Sequence, residues 1–207
     1  DHLVNERYAM ILASSRHTTG TASVRYSTTH KEQTRQKLLE SSGALAKRGG
    51  FNATGVAGLM KAIGLTGGAF YNHFASKDDL FTEVVRRELS HSPMAQHPMN
   101  RERLERCLDQ YLSLAHVHNR EGGCAIPALG AEIAQAPLPV REEAEHWLCA
   151  LQQAWAQTLE DPKLAWALLS QCVGALVIAR MLASEGSQQE VLQASRGFLA
   201  GVLHEQP

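Results

Sequence analysis

Residues 59–74 read Leu59-Met60-Lys61-Ala62-Ile63-Gly64-Leu65-Thr66-Gly67-Gly68-Ala69-Phe70-Tyr71-Asn72-His73-Phe74. Just upstream and into this stretch, Val56, Leu59, Met60 and Ile63 recur at i, i+3, i+4 and i+7, the spacing of one helical face. Gly64 breaks that pattern, because glycine takes the left-handed conformation without steric cost. Leu65 is placed to pack between two helices, and Thr66 has the side chain of an N-cap for a short helix over about 66–73. Two short helices joined by a glycine-containing turn form a helix-turn-helix. In that motif the second helix can enter a DNA major groove with its N-terminal residues toward the bases.

Working outward, the segment 32–48 carries Leu38, Leu39 and Leu45 and ends at Gly49-Gly50, a pair suited to closing a helix. Downstream, Ser76-Lys77-Asp78-Asp79 has capping-box spacing, with Asp where Glu or Gln is usual. It opens a helix carrying Leu80, Phe81, Val84 and Val85. Ser92 to Asn100 has two prolines and no stripe, so it reads as a linker. A fifth helix is expected through Leu104, Cys107, Leu108, Tyr111, Leu112 and Ala115, stopped by Asn119 to Gly123. A sixth covers Cys124 to Ala136, with Pro127 tolerable only in its first turn. Pro137 and Pro139 separate it from a seventh with Ala144, Trp147, Leu148, Leu151, Ala154, Trp155 and Leu159. Asp161-Pro162 pairs an N-cap with a proline at the first helical position and opens an eighth, long apolar helix. Ser187 to Glu190 has the capping-box pattern for a ninth, with Val191, Leu192, Phe198, Leu199 and Val202. No segment has strand period and no repeat is visible, so the expected fold is all-α with about nine helices.

Composition narrows the class. The chain has 207 residues, 44% hydrophobic and 20% charged, which excludes general disorder. With 16 Gly and 7 Pro, collagen-like or Pro/Gly-rich low complexity is excluded as well. The cysteines Cys107, Cys124, Cys149 and Cys172 form no C-x-x-C pair and are too sparse for a disulfide scaffold, so reduced thiols in a cytoplasmic protein are expected. The apolar run Ala9 to Ala13 is too short for a signal-peptide core. Leu164 to Ala183 has the length of a membrane span but contains Ser170, Gln171 and Arg180, and a helix apolar all round is equally a buried core or interface helix. No membrane partner is expected. Residues 1–30 are polar, without a helical stripe, and read as a flexible arm or an extension.

The net charge of -1 is an average over unlike parts. Between Lys31 and Phe74, six basic residues (Lys31, Arg35, Lys37, Lys47, Arg48, Lys61) face two acidic ones (Glu32, Glu40). From residue 91 onward acidic side chains outnumber basic ones, thirteen to eight. Basic charge on a compact helical unit fits attraction to phosphates, and equally fits ordinary surface scatter.

Three stretches carry a resemblance. They are Gly50-Phe51-Asn52-Ala53-Thr54, then Gly64 to Phe74 with its Phe70-Tyr71-Asn72-His73-Phe74 core, then Ser76-Lys77-Asp78-Asp79-Leu80-Phe81. Over roughly 34–88 the sequence resembles the TetR family of bacterial transcriptional regulators. Further on, the likeness rests on helix count and on Gly123 to Glu132, which is similar to one C-terminal subgroup. The resemblance implies three parts: an arm over 1–30, a helix-turn-helix DNA-binding domain over 31–90, and an effector-binding and dimerisation domain over 91–207. It implies no enzyme and no cofactor. It implies a repressor that binds a palindromic double-stranded DNA operator as a homodimer and lets go when a small molecule occupies the C-terminal domain.

DNA-contacting roles follow from the resemblance and from chemistry. Thr66, Gly67, Gly68 and Ala69 start the reading helix, where small residues let the backbone approach DNA. A Tyr71 hydroxyl can donate to a phosphate, and Asn72 can read adenine through two hydrogen bonds. Lys77, Thr54 and Arg35 are candidates for the phosphate backbone. Phe70 and Phe74 are expected in the core, and His73 stays open between core and contact. Gly67 departs from the larger polar residue frequent in the family, and Gly58 inside the second helix costs about 1 kcal/mol against Ala. Fewer side chains then reach the bases, so an arm bearing Arg16 and Arg25 could add minor-groove contacts or remain an unbound tail.

In the C-terminal part, the eighth and ninth helices are expected to dimerise, with Gly174, Ala175, Gly197 and Gly201 permitting close approach. Tyr111, Trp147, Leu151, Trp155 and Met181 are candidate walls of a mostly apolar pocket for a hydrophobic or flat effector, and each equally suits plain core. Cys124 follows Gly122-Gly123 at an expected helix start, where the helix N-terminus lowers a thiol pKa. Thiol or electrophile sensing through Cys124 is thus an alternative to simple ligand release. His116 and His118 do not share a helical face, and no Cys/His set has zinc-site spacing, so no metal is expected. Two rivals from other classes remain: a helical Cys/His enzyme, which lacks a recognisable nucleophile or phosphate-loop motif, and a non-specific DNA-coating protein.

Overall fold

A computed structural model describes residues 19–92, 94 and 100–204. Among the described residues the chain is all-helical. The order is α1 (Thr19–Gly49), α2 (Val56–Ala62), a 3-10 helix (Gly67–Asn72), α3 (Lys77–Ser90), α4 (Arg101–Tyr111), α5 (Leu114–His118), α6 (Ile126–Gln135), α7 (Leu138–Leu159), α8 (Pro162–Met181) and α9 (Glu185–His204). The chain divides into two compact units, Asp1–Leu38 and Leu39–Pro207. The first is described from Thr19 on, as helix. All packing below lies within the second.

Several boundaries differ from the sequence expectation, each for a local reason. α1 begins at Thr19, well before the expected start near residue 32, although the segment has no apolar stripe. Once a helix is nucleated, each added residue gains a hydrogen bond at little further cost, so a polar stretch can extend it. Residues 1–18 of the expected arm, Arg16 among them, lie outside the described residues. The fifth expected helix is split: Ser113 Oγ accepts the His116 N–H at 3.2 Å and starts α5 where α4 ends. A serine that bonds a nearby backbone N–H competes with the continuing helix. α6 starts at Ile126 rather than Cys124, with Pro127 in its first turn. α9 starts one turn earlier than expected, because Ser184 rather than Ser187 is the cap: its Oγ accepts the Ser187 N–H at 3.2 Å.

Other caps are as read. Ser76 accepts the Asp79 N–H at 3.0 Å, and Asp79 in return accepts the Ala75 N–H at 2.9 Å. Asp161 accepts from Lys163 and Leu164 ahead of Pro162. The C-terminal core is built by α4, α7, α8 and α9 around the fully buried Trp155, with Leu104, Leu112, Leu168 and Leu176. α7 also packs along α3. Arg86 of α3 forks onto Glu143 of α7, with Nε and one terminal nitrogen donating at 3.0 and 2.8 Å. Among the described residues α8 alone is long and apolar enough to cross a membrane, and 39% of its apolar window is buried within the protein.

Candidate functional site

The helix-turn-helix is set by backbone geometry at Gly64. α2 ends at Ala62 with Ile63 as its C-cap, the Gly64 N–H donates to Lys61 O at 3.0 Å, and the Leu65 N–H donates to Met60 O at 2.9 Å. This pair of bonds is a Schellman closure, which needs a left-handed residue at its first position. Gly64 supplies it with φ +77°. The chain then turns into the 3-10 helix, which packs against α2 so that a Cβ at Gly67 would stand in ordinary contact with Ala57 Cα, 3.6 Å away. Phe70 and Phe74 are buried beneath, while Tyr71 on the outer side is 68% exposed and Asn72 is exposed beside it.

A second group secures the loop that follows α1. Gly50 ends the helix with φ +90°, and its N–H donates to Ala46 O at 2.8 Å. Phe51 stacks on Phe81 with centroids 4.3 Å apart, and Lys77 Nζ lies 4.9 Å above the Phe51 ring. Lys77 Nζ also donates to Asn52 O at 3.4 Å, and the Asn52 N–H donates to Glu132 of α6 at 3.0 Å. Thr66, Gly68, Asn52 and Asp78 are exposed around Lys77 and Tyr71.

A cavity of about 830 Å³ opens in the second unit. Its walls come from the end of α1 (Lys47), the end of α3 (Arg87, Glu88, His91), α4 (Cys107, Tyr111), α5 (His116) and the turn Asn119 to Cys124. Lys47 and Glu88, both mostly buried, pair at 2.7 Å, and Lys47 Nζ reaches Gly123 O at 3.4 Å. His116 spends both ring nitrogens. Nε2 accepts the Cys124 N–H at 3.0 Å, so the proton sits on Nδ1, which donates to Tyr111 O at 2.8 Å. Burial lowers the His116 pKa, so the ring is neutral near pH 7. Burial likewise pushes the thiols up, Cys124 above its ordinary value and Cys172 to about 12.

Comparison with known proteins bears on this arrangement. Residues 38–84 match the family model of bacterial regulatory proteins of the tetR family. That segment carries a TetR-type DNA-binding sequence. Over 61 residues the chain is 41% identical to the HTH-type transcriptional regulator AcrR of Shigella flexneri, a stretch covering 30% of this chain and 27% of that protein. The chain thus matches only about a quarter of that relative's length. The fold extends further. Reduced Escherichia coli NemR superposes with a TM-score of 0.67 at 22% identity, over 82% of this chain and 97% of that one. A TetR regulator from Legionella pneumophila gives 0.63 at 20%, over 80% and 95%.

Within this TetR fold the residues expected to meet DNA are largely grouped. Thr66 to Ala69, Tyr71, Asn72 and Lys77 lie on or beside the 3-10 helix. His73, half-buried, ends it, and its N–H donates to Phe70 O at 2.9 Å. Thr54 is half-buried just before Gly55, which rather than Thr54 is the N-cap of α2. Arg35 belongs to the first compact unit.

The expected pocket residues separate. Tyr111 and Cys124 line the cavity; Trp147, Leu151, Trp155 and Met181 do not. Trp155 and Leu151 are core. Trp147 donates to Glu143 at 2.8 Å, the carboxylate that clamps Arg86, so it braces α7 against α3. Met181 is 78% exposed at the end of α8. Helical period alone places these side chains on a buried or apolar face without saying which neighbour closes over it. The Cys124 expectation also changes direction. The thiol precedes α6 instead of starting it, and burial outweighs the bond it gains from the Ile126 backbone, so its pKa rises rather than falls. Lys47, Glu88, His116, Glu132 and Arg180 were not singled out as site residues. For Arg180 a signal existed: it is the one charged side chain between Leu164 and Met181. Among the described residues no group of His, Cys, Asp or Glu is placed to hold a metal.

Proposed function

We propose that the protein is a sequence-specific DNA-binding transcriptional regulator, a repressor that leaves a palindromic operator when a small molecule enters the 830 Å³ cavity. The observation that carries this reading is the exposed Tyr71-Asn72 edge of a 3-10 helix set on a glycine-closed turn. Tyrosine and lysine there suit phosphate oxygens, and an outward asparagine suits a base edge. The cavity supports the second half of the reading. It touches the end of α1, the end of α3 and the turn before α6, and α6 carries Glu132, which holds the loop bearing Asn52 and, through it, Lys77. A ligand that moves α6 therefore moves a support of the reading head.

The homodimer is part of the proposal. Trp166, Ile178 and Met181 of α8 and Phe198 of α9 are exposed large apolar side chains. Gly174, Gly197 and Gly201 have open space where a Cβ would stand, so another helix could approach closely there. An apolar face of this kind favours self-association. A footprint on random and selected DNA tests the whole reading. Protection of an inverted repeat, with affinity falling steeply as salt rises, supports it. Uniform coating without a preferred repeat would assign the protein to non-specific DNA binding instead.

A further inference from the structure

An ion pair sits in the wall of the 830 Å³ cavity. Lys47 at the end of α1 donates to Glu88 Oε2 of α3 at 2.7 Å, and both residues line the cavity. Their side chains keep 8% and 15% exposure, so the pair is mostly out of water without being closed off. Lys47 Nζ also reaches Gly123 O at 3.4 Å, in the turn before α6. Gly43 of α1 makes room for the carboxylate, since a Cβ there would stand 2.5 Å from Glu88 Oε1. The acid is therefore held between the α1 backbone and the ammonium.

Each partner keeps hydrogen-bonding capacity. An ammonium has three N–H donors, and a carboxylate accepts at about four lone-pair sites. Glu88 and Gly123 take two of the Lys47 donors, and Lys47 takes one site on Glu88. The other charge on the lining is matched or hydrated. Arg87 pairs with Glu40 at 3.1 Å, and Asp109 is exposed. His116 is neutral with both ring nitrogens engaged, and burial keeps Cys124 a protonated thiol.

The pair is neutral as a unit, and that decides which ligands suit it. A ligand carboxylate on Lys47 would lie beside Glu88, like charge against like charge in a poorly hydrated wall. A ligand ammonium on Glu88 would meet Lys47 in the same way. Either ion gains a partner only by stranding the other residue as a mostly buried unpaired charge, which is strongly unfavourable. An uncharged group with a donor and an acceptor side by side meets both residues and leaves their pair intact. We propose that this cavity binds a neutral carboxamide on an apolar body, its carbonyl accepting from Lys47 and its N–H donating to Glu88, with the body toward Met94, Cys107 and Ala115. Hydrogen bonds to ionised partners are about twice as strong as neutral ones. The volume lies within the range of small-molecule pockets. This rests on reading the cavity as the effector site, and it gives the hydrophobic or flat effector an uncharged polar head.

The test uses the full chain without DNA. Benzamide and 2-naphthamide are titrated calorimetrically, each against the matching carboxylate, the aminomethyl cation and the methyl ketone, which keeps the carbonyl but has no N–H. At least one amide is expected to bind about tenfold more tightly than its acid or amine, and severalfold more tightly than its ketone. Glu88→Gln, which leaves the Lys47 charge alone, should shift preference toward the acid. Lys47→Met, which leaves the Glu88 charge alone, should shift it toward the amine. A merely structural role for the pair would weaken all four ligands alike. Should either single variant fail to fold, Lys47→Met with Glu88→Leu removes both charges, and the amide should then lose its advantage over the ketone. If no amide outbinds its acid and its ketone, if the two single variants shift preference in the same direction, or if the advantage survives in the double variant, the carboxamide site is wrong. A separate titration on operator-bound protein keeps the two readings apart. An amide that binds with this pattern but leaves DNA bound removes the effector role and keeps the site; release by the acids or amines alone keeps the regulator and removes the site.

Discussion

The Glu132 carboxylate accepts the Asn52 N–H at 3.0 Å, tying α6 to the loop that follows α1. The same carboxylate occupies the position that a side chain on Gly50 would need, so one acid both supports the loop and excludes a Cβ beside it. Gly50 also sits at φ +90°, a conformation that costs an L-residue roughly 1–2 kcal/mol. Gly50→Ala should therefore destabilise the chain by at least about that amount, measured by urea denaturation. Adding Glu132→Ala should relieve the clash but also remove the acceptor of the Asn52 N–H, so the double variant should stay below wild-type stability. Wild-type stability in Gly50→Ala would contradict the geometry.

The reading edge separates two kinds of contact. Tyr71→Phe combined with Lys77→Met should weaken every DNA sequence alike and lower the salt slope by about one. Asn72→Ala should instead blur the preference for one sequence, at a cost of about 1–3 kcal/mol on the best site. Fluorescence anisotropy on matched and scrambled repeats distinguishes the two. Methionine at 77 keeps the packing over Phe51, so its loss reports the charge. If both variants bind like the parent protein, the recognition assignment falls.

His116 links pH to stability. Its folded pKa lies below the ordinary 6.5, because burial disfavours the imidazolium. Below pH 6.5 the unfolded chain binds a proton that the folded ring does not, so stability is present above that value and is lost as pH falls through it. Protonation would also take away the acceptor of the Cys124 N–H. Urea midpoints between pH 7.5 and 5 should fall more in the parent protein than in His116→Gln. Parallel pH curves would show that the ring titrates as it does in the unfolded chain.

Met181 and Phe198 test the apolar face of α8 and α9, being 78% and 61% exposed. Met181→Glu with Phe198→Glu should convert a dimer to monomers in sedimentation velocity while leaving the thermal melt of the subunit cooperative. A dimer that persists would place its interface elsewhere.

The helix-turn-helix was readable before any coordinate because its determinants are local. Gly64 must be glycine-like at φ +77°, Ser76 and Asp161 need only reach an N–H two or three residues away, and Phe70 and Phe74 fall on the inner side by period alone. Where two local solutions competed, the reading slipped: Ser113 capped a new helix inside an unbroken stripe, and Ser184 rather than Ser187 opened α9.

The cavity obeyed no such rule. Tyr111 and Trp155 both sit on apolar stripes, yet one lines open space and the other fills the core, because α5 and the turn to Cys124 fold back over the first while α8 and α9 close over the second. The partners that give the site its chemistry lie far apart in the chain, as Lys47 with Gly123 and Arg180 with His116 do. Residue order and spacing were sufficient for the elements and for the turn that orients the reading edge, since those energies act over a few residues. The charged lining of the pocket arose only when distant helices packed and set Lys47 of α1 against Glu88 of α3.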